Sequence, residues 1–242
     1  MSEYLIHGET LTGIADAIRE KTGGTDPVAV SDMAGKIESI QAGGGDSADS
    51  IIDRSVTSIT SNAAAVGQNA FSSCTALTTV NFPVAINIGG NAFSGCISLK
   101  TVDIPVATNI EAFAFSQCTA LETASFPSAE TIGFVAFEFC ESLNTIDFPV
   151  ATNIETYAFN SCMTLVTVII RTPAVCTLST INAFESTPIA SGEGYIYVPA
   201  ALVDSYKAAT NWSTYAAQFR ALEDYTVDGT ITGELDPAKT GT

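Results

Sequence analysis

Apolar residues return at a fixed interval of 22 positions through the middle of the chain. The most regular of them form an Ala-Phe pair, found at Ala70-Phe71, Ala92-Phe93, Ala114-Phe115, Ala136-Phe137 and Ala158-Phe159. Two further columns keep the same interval, Cys74, Cys96, Cys118, Cys140 and Cys162, and Leu77, Leu99, Leu121, Leu143 and Leu165. A fixed period of about 20 to 50 residues is typical of proteins in which each repeat forms one coil of a stack. The pattern therefore predicts a solenoid.

Each repeat also changes its short-range pattern. In one representative coil, apolar Val102 and Ile104 alternate with polar neighbours, as in a strand with one buried face. Pro105 lacks an N–H group and ends this strand. A second short inward segment follows at Ile110, and residues 114–118 are expected to turn back as a short helical piece. These elements predict an α/β repeat of about six to seven coils.

The pattern changes outside the predicted solenoid, which spans residues 51–193. Residues 1–42 have helical spacing and predict a helical hairpin, followed by a Gly-rich linker over 43–50. Each helix is short enough to need a docking surface, which could be the solenoid end, a second copy or a larger assembly. The pattern over residues 194–222 predicts a strand and two short helices. Residues 223–242 are expected to form a loose tail or a small hairpin. The apolar stripe expected to cover the last coil is Trp212, Tyr215, Phe219 and Leu222.

The net charge of −17 limits the classes of partner. Asp and Glu outnumber Lys and Arg by 26 to 9, and no basic cluster is present. Nucleic acid and anionic membrane surfaces are therefore excluded as expected partners, because both need clustered cations. No apolar run approaches the roughly 18 residues needed to cross a bilayer. The N-terminus shows no basic segment followed by an apolar run, so no signal peptide is predicted. A cytosolic location, another export route and a removed leader all stay open.

Nothing in the sequence predicts a catalytic or metal site. Five of the six cysteines occupy equivalent positions in successive repeats, which favours a buried column of small side chains over disulfides. Zinc sites use closely spaced cysteines together with histidine, and the only histidine is His7, near the terminus. We therefore expect no cofactor, no bound metal and no enzymatic activity.

Outward strand positions provide the remaining candidate chemistry. One column holds Thr79, Thr101, Thr123, Thr145 and Thr167, and its neighbour holds Asn81, Asp103, Ser125, Asp147 and Ile169. Threonine is a favourable residue on any exposed strand, which is the simplest interpretation. The functional alternative is a flat polar strip that hydrogen-bonds a protein or glycan ligand. The candidate ligand-binding residues of this polar strip are Thr101, Asp103, Thr123, Ser125, Thr145 and Asp147.

The repeated phrase Ala-Phe-x-x-Cys-x-x-Leu-x-x-Val-x-Phe/Ile-Pro resembles the BspA-like leucine-rich repeats of bacterial surface proteins and some protists. The resemblance covers roughly residues 54–190, and the block from Tyr195 to Ser213 is similar to the closing segment of such proteins from gut bacteria. It implies a leucine-rich-repeat-type solenoid with a strand-helix cap, and adhesion to host proteins, other bacteria or surfaces. The family brings no catalytic residues. Residues 10–19 and 32–34 resemble a helical module of phage and prophage tail proteins.

Two functional hypotheses follow. The leading one is a non-enzymatic binding or adhesion module that presents its polar strand face to a protein or glycan. The alternative is a structural or receptor-binding component of a phage or prophage tail, docked or oligomerised through residues 1–42. The implied location is a cell surface in the first case and a phage particle in the second.

Overall fold

The computed structural model of this protein describes residues 56–227 and 230–231, and the structural statements below concern that part of the chain. The helical hairpin predicted for residues 1–42, the linker at 43–50 and most of the tail after 227 lie outside it.

Each coil contributes one strand to each of two faces of the solenoid, and the strands within a face run parallel to one another. The strands of the first face are β1 (Ser58–Thr60), β3 (Thr79–Asn81), β5 (Thr101–Asp103), β7 (Thr123–Ser125), β9 (Thr145–Phe148) and β11 (Thr167–Ile170). Those of the second face are β2 (Ala65–Val66), β4 (Asn87–Ile88), β6 (Asn109–Ile110), β8 (Thr131–Ile132), β10 (Asn153–Ile154) and β12 (Thr177–Leu178). Paired strands join equivalent residues of successive coils, so that Val80 lies opposite Val102. The predicted repeat solenoid is confirmed.

A continuous column of phenylalanine rings occupies the interior. Successive rings of Phe71, Phe93, Phe115, Phe137, Phe159 and Phe184 stack nearly parallel, with centroids 5.2–5.4 Å apart. The column reaches Phe184 although that residue follows Phe159 by 25 positions rather than 22. A single coil cannot bury such a ring alone, so each coil depends on its neighbours for stability.

The turn that contains the Ala-Phe pair is not helical, and the predicted helical piece at residues 114–118 is wrong. Its backbone N–H groups bond alternately to the neighbouring coil and three residues back, and not four residues back as in an α-helix. Phe93 N donates to Ala114 O at 2.8 Å and Phe115 N to Ala136 O at 2.8 Å, whereas Ser116 N donates to Phe113 O at 3.1 Å. Two residues per coil, four positions apart, adopt positive φ. They are Asn69 and Ser73, Asn91 and Gly95, Phe113 and Gln117, Val135 and Phe139, and Tyr157 and Ser161. Because alternate N–H groups of the turn bond to the neighbouring coil, the continuous hydrogen bonding of an α-helix cannot form there.

The last coil is covered by a cap of mixed structure. Strand β13 (Tyr195–Val198) pairs with β11, and β14 (Phe219–Ala221) pairs with β13. The helical segments are Ile181–Phe184, Pro188–Ser191, Ala200–Leu202, Val203–Ala208, Trp212–Gln218 and Leu222–Asp224. The second helix predicted in this region is therefore a 3₁₀ segment that passes into a strand. After it, β15 (Thr226–Val227) pairs antiparallel with β16 (Thr230–Ile231).

Aromatic side chains attach the cap to the end of the solenoid. Trp212 is fully buried, and its Nε1 donates a hydrogen bond of 2.6 Å to the carbonyl oxygen of Cys176. The hydroxyl of Tyr206 accepts a hydrogen bond of 2.8 Å from the backbone N–H of Cys176. Of the predicted apolar stripe, Trp212, Tyr215 and Phe219 are buried, whereas Leu222 is partly exposed. The cap thus supplies the partners that a further coil would have supplied to the last one.

Candidate binding surface

Four of the six residues of the polar strip lie together on the first face. Strands β5 and β7 place Thr101 opposite Thr123 and Asp103 opposite Ser125, and all four residues are exposed. Side chains alternate between the two sides of a strand, so these residues point away from the core while the residue between each pair points inward. Together they form a compact group of hydroxyls with one carboxylate.

The other two residues of the strip have a different environment. Thr145 and Asp147 lie on β9 and are only partly exposed. The carboxylate of Asp147 accepts hydrogen bonds from Arg171 Nε at 2.9 Å and Arg171 Nη2 at 2.8 Å. This two-point pairing satisfies much of the carboxylate's hydrogen-bonding capacity. Asp147 therefore does not offer the freely available carboxylate that the sequence suggested; it anchors Arg171 against the strand face.

The hydrogen-bonded ladder of the first face is interrupted in the middle of the strip. Strands β1, β3, β5 and β7 form one sheet, and β9, β11, β13 and β14 form another. At the start of β7, Thr123 N donates to Lys100 O at 3.0 Å. The equivalent bond from Thr145 N to Glu122 O is not formed among the described residues. The two sheets are neighbours but are not joined there.

The interruption extends to the other end of the same strands. Ile104 N donates to Ser125 O at 3.3 Å one coil earlier, whereas no such bond links Phe126 N to Asp147 O in the described part of the chain. Between them, the inward residue Ala124 is partly exposed, although its equivalents in the adjacent coils are fully buried. Some backbone donors and acceptors beside Thr123 and Ser125 are thus not used between these two coils.

The strand face becomes aromatic and basic towards the C-terminal end. Ile169, which the sequence pattern placed on the outward polar column, is 2% exposed, so this expectation is wrong. The guanidinium of Arg220 lies 4.3 Å from the ring centre of Tyr195, and the ring of Tyr197 lies 4.8 Å from that of Tyr225. This cluster was missed because its members come from β13, β14 and the residue before β15. Only the tertiary fold brings them beside the repeat.

A second aromatic group lies after the strands of the other face. The rings of Phe113 and Phe134 are 5.3 Å apart, and those of Phe134 and Tyr157 are 6.4 Å apart, each pair edge to face. We call these three residues the aromatic row. Phe134 is 38% exposed, and the other two are partly exposed. The sequence analysis did not identify the row, although its aromatic residues stand where other repeats have Asn, Val, Gln, Gly, Ala or Thr.

Backbone strain accompanies this row. Phe113 and Tyr157 have φ angles of 60° and 58°, in the left-handed region that bulky residues avoid. The earlier coils place Asn69 and Asn91 at this position, which tolerates that conformation well. Left-handed backbone costs about 1–2 kcal/mol per residue, whereas an aromatic pair contributes about 0.5–1.5 kcal/mol beyond its burial. The strain therefore offsets much of the gain from ring–ring contact, and the remaining stabilisation comes from the partial burial of the rings.

The buried cysteine column is unsuited to nucleophilic chemistry. All six cysteines are free thiols, and burial, with a smaller contribution from neighbouring Cys74, raises the pKa of Cys96 to about 12. A reactive cysteine requires a lowered pKa, since the thiolate is the nucleophile. Within residues 56–227, no group of three or more His, Cys, Asp and Glu side chains is arranged to hold a metal ion. None of the helices in the same region is long and apolar enough to cross a membrane.

Comparison with known proteins gives one family match. Residues 53–166 match, in six copies, the model described as "BspA type Leucine rich repeat region". No curated protein matches the chain. The helical module suggested for residues 10–19 and 32–34 lies outside the matched segment.

Solved structures of bacterial leucine-rich repeat proteins resemble the fold. A leucine-rich repeat protein from Bacteroides ovatus ATCC 8483 aligns with 69% of this chain at 24% identity and a TM-score of 0.54. The alignment spans 42% of that protein, less than half of its length. A leucine-rich repeat protein of T. pallidum aligns at 22% identity over 58% of this chain and 78% of its own, with a TM-score of 0.33. A leucine rich cell surface protein from Faecalibacterium prausnitzii A2-165 aligns at 18% identity over 59% and 64%, with a TM-score of 0.26.

Proposed function

We propose that this chain, whose residues 53–166 match the model of a BspA type leucine-rich repeat region, is a non-enzymatic binding module whose polar strand face holds a protein or glycan ligand. The observation that carries this proposal is the interrupted ladder between β7 and β9. Between the other neighbouring strands of the first face the backbone groups bond from coil to coil, but the ladder is broken here, beside the exposed hydroxyls of Thr123 and Ser125.

Hydrogen-bonding capacity near this interruption favours a polar ligand. Asn81 Oδ1, on β3, is buried without a hydrogen-bond partner among the described residues. Asn81 lies in register with Asp103, which lies in register with Ser125. An unpaired buried carbonyl is unfavourable in the free protein, and a ligand hydroxyl or amide N–H would satisfy it if the Asn81 side chain, two strands from Ser125, became exposed on binding. Peptides and glycans both carry such donors.

The strand face also changes in character along its length, which suits an extended ligand. Its middle part carries hydroxyls and the carboxylate of Asp103, and its C-terminal part carries the Tyr195 ring under the Arg220 guanidinium. Aromatic residues and arginine are enriched where binding energy is concentrated in interfaces. We therefore place the contacts that orient the ligand in the polar strip and the apolar contacts at the C-terminal cluster. A location at a bacterial surface is part of the same proposal and follows from the family resemblance.

The test is binding of the purified chain to immobilised mucin, matrix proteins and a glycan panel. A strip variant combines Thr101→Ala, Asp103→Ala, Thr123→Ala and Ser125→Ala. Its matched control combines Thr108→Ala, Glu130→Ala, Thr152→Ala and Thr177→Ala, which removes the same groups from exposed positions outside the strip. We expect the strip variant to lose at least about tenfold in affinity, equivalent to 1.4 kcal/mol, and the control to bind as the unmodified chain does. Equal binding by the two variants would contradict the proposal.

The phage-tail alternative depends on residues 1–42, and no observation in the described part of the chain favours it. It is tested separately, by asking whether residues 1–45 fused to a carrier protein co-assemble with tail particles.

A further inference from the structure

We propose that the aromatic row of Phe113, Phe134 and Tyr157 is a second binding surface, which takes the Lys and Arg side chains of a basic protein segment. It lies in the turns that follow β6, β8 and β10, and so belongs to a different part of each coil from the polar strip. The proposal is independent of the ligand of the strand face.

The row is preserved across a change of register. Phe113 and Tyr157 occupy equivalent positions, 44 residues apart, but the coil between them places buried Val135 there. In that coil the ring comes from Phe134, one residue earlier, and it still contacts both neighbouring rings. A row that stays continuous although one coil supplies its ring from another position is not a by-product of the 22-residue repeat.

Backbone geometry does not favour aromatic residues at the positions of Phe113 and Tyr157. Phe113 and Tyr157 adopt the strained left-handed backbone that Asn69 and Asn91 adopt at ease in the earlier coils. The same conformation recurs at this position in five successive coils, buried Val135 included, so it belongs to the turn and does not by itself favour an aromatic residue there. The exposed ring, Phe134, stands outside the position that the other two rings occupy, which indicates a contact with something outside the chain.

The charge around the row selects the ligand. Between Lys100 and Arg171 the chain contains eight carboxylates and neither Lys nor Arg. One of these carboxylates, Glu155, lies directly at the row, where its Oε2 accepts a hydrogen bond of 2.9 Å from Phe134 N. Aromatic faces are electron-rich and attract ammonium and guanidinium groups. The same chain already shows this contact, in the guanidinium of Arg220 above the ring of Tyr195.

These observations favour a cationic ligand over an anionic or neutral one. An anionic ligand would be repelled by the carboxylates and by the net charge of −17. A basic segment would be attracted at long range by that charge and held at short range by the rings. Contact with the rings distinguishes specific binding from general electrostatic attraction, because the rings carry no charge.

The experiment measures binding of a fluorescein-labelled hexa-arginine peptide to the full chain at about 0.15 M salt, where the screening length is about 8 Å. The row variant combines Phe113→Asn, Phe134→Ala and Tyr157→Asn. The control is Phe139→Ser, which removes another exposed ring at positive φ. The equivalent residue of the next coil is Ser161, so serine suits this position. All three proteins have the same net charge, so any difference in affinity arises from the rings.

We expect the row variant to bind at least about tenfold more weakly than the unmodified chain, and Phe139→Ser to bind within about twofold of it. The melting temperature of the row variant is measured alongside its affinity, to show that the variant is folded. Equal affinity of the row variant and the unmodified chain would overturn the proposal. So would binding of maltohexaose that only the row variant loses, which would assign the row to a glycan. If the row variant fails to fold, Phe134→Ala alone, which does not touch a strained position, is read in the same way.

Discussion

The thiol of Cys118 donates a hydrogen bond of 3.2 Å to the backbone carbonyl oxygen of Phe93, one coil earlier. The same bond recurs along the column, from Cys96 to Phe71, Cys140 to Phe115 and Cys162 to Phe137. The cysteine column is therefore more than a set of small buried side chains. Each of these four thiols links its own turn to the preceding turn, through the backbone carbonyl of a phenylalanine in the stacked column.

Replacement of Cys118 by alanine should lower the free energy of unfolding by about 1–2 kcal/mol, because it removes both a buried hydrogen bond and packed volume. Cys118→Ser keeps a donor at the same place and should be less destabilising than Cys118→Ala. Urea unfolding of the two variants measures the difference. A serine variant less stable than the alanine variant would show that hydrogen bonding contributes less than apolar packing.

Alkaline pH should destabilise the protein, because the buried cysteine thiols ionise more readily in the unfolded chain than in the folded one. Burial raises the pKa of the Cys96 thiol and of the Cys176 thiol to about 12, from the ordinary 9.0. The stabilisation from these neutral thiols is complete below pH 9 and is lost as the pH rises from about 9 towards 12, because only the unfolded chain ionises at first. Each thiol contributes about 1.4 kcal/mol per pH unit in that range.

The free energy of unfolding, measured in urea at pH 7, 8.5 and 10, should fall only between the last two values. Cys96→Ala removes one of the groups responsible and should show a shallower fall. A variant whose fall is as steep as that of the unmodified chain would assign the effect to other residues.

The stacked rings should differ in importance between the middle and the end of the column. Phe115 lies between Phe93 and Phe137, with 5.2 Å separations on both sides. Phe71 stacks on one described ring of the column and is 5% exposed. We expect Phe115→Ala to cost about 3–5 kcal/mol, and Phe71→Ala clearly less. Thermal unfolding would contradict this nearest-neighbour description if the two substitutions had equal effects.

The backbone of Gly133 approaches the preceding coil closely, unlike the equivalent positions of the adjacent coils, which hold Glu111 and Glu155. A Cβ atom at Gly133 would lie 2.6 Å from the backbone oxygen of Ile110, which cannot move aside as a flexible side chain could. Gly90 provides the control, since its nearest atom would be Ala112 O at 3.4 Å. Gly133→Ala should lower the melting temperature by several degrees, as expected for roughly 1–3 kcal/mol of overpacking. Gly90→Ala should have little effect, and similar shifts for both would show that the coils can separate freely.

The sequence by itself determined the solenoid and its interior. Because every repeat has the same length, equivalent residues must stack, and the apolar members of each column must face inward for a coil to be stable at all. This is why the Ala, Phe, Cys and Leu columns, the strand around Val102 and the end at Pro105 could be predicted without any structure. The same reasoning placed Thr101 and Asp103 on the outer side of their strand.

Only the tertiary structure decided what the variable positions do. The pairing of Asp147 with Arg171, the burial of Ile169, and the interruption between β7 and β9 depend on contacts between coils that the period does not specify. The Ala-Phe turn is non-helical because its N–H groups bond to the next coil, a choice that local sequence preference does not contain. The aromatic row is the clearest case, since Phe134 joins Phe113 and Tyr157 from a different position in its repeat. Periodicity fixes which residues are equivalent, but the surface is formed by residues that depart from it.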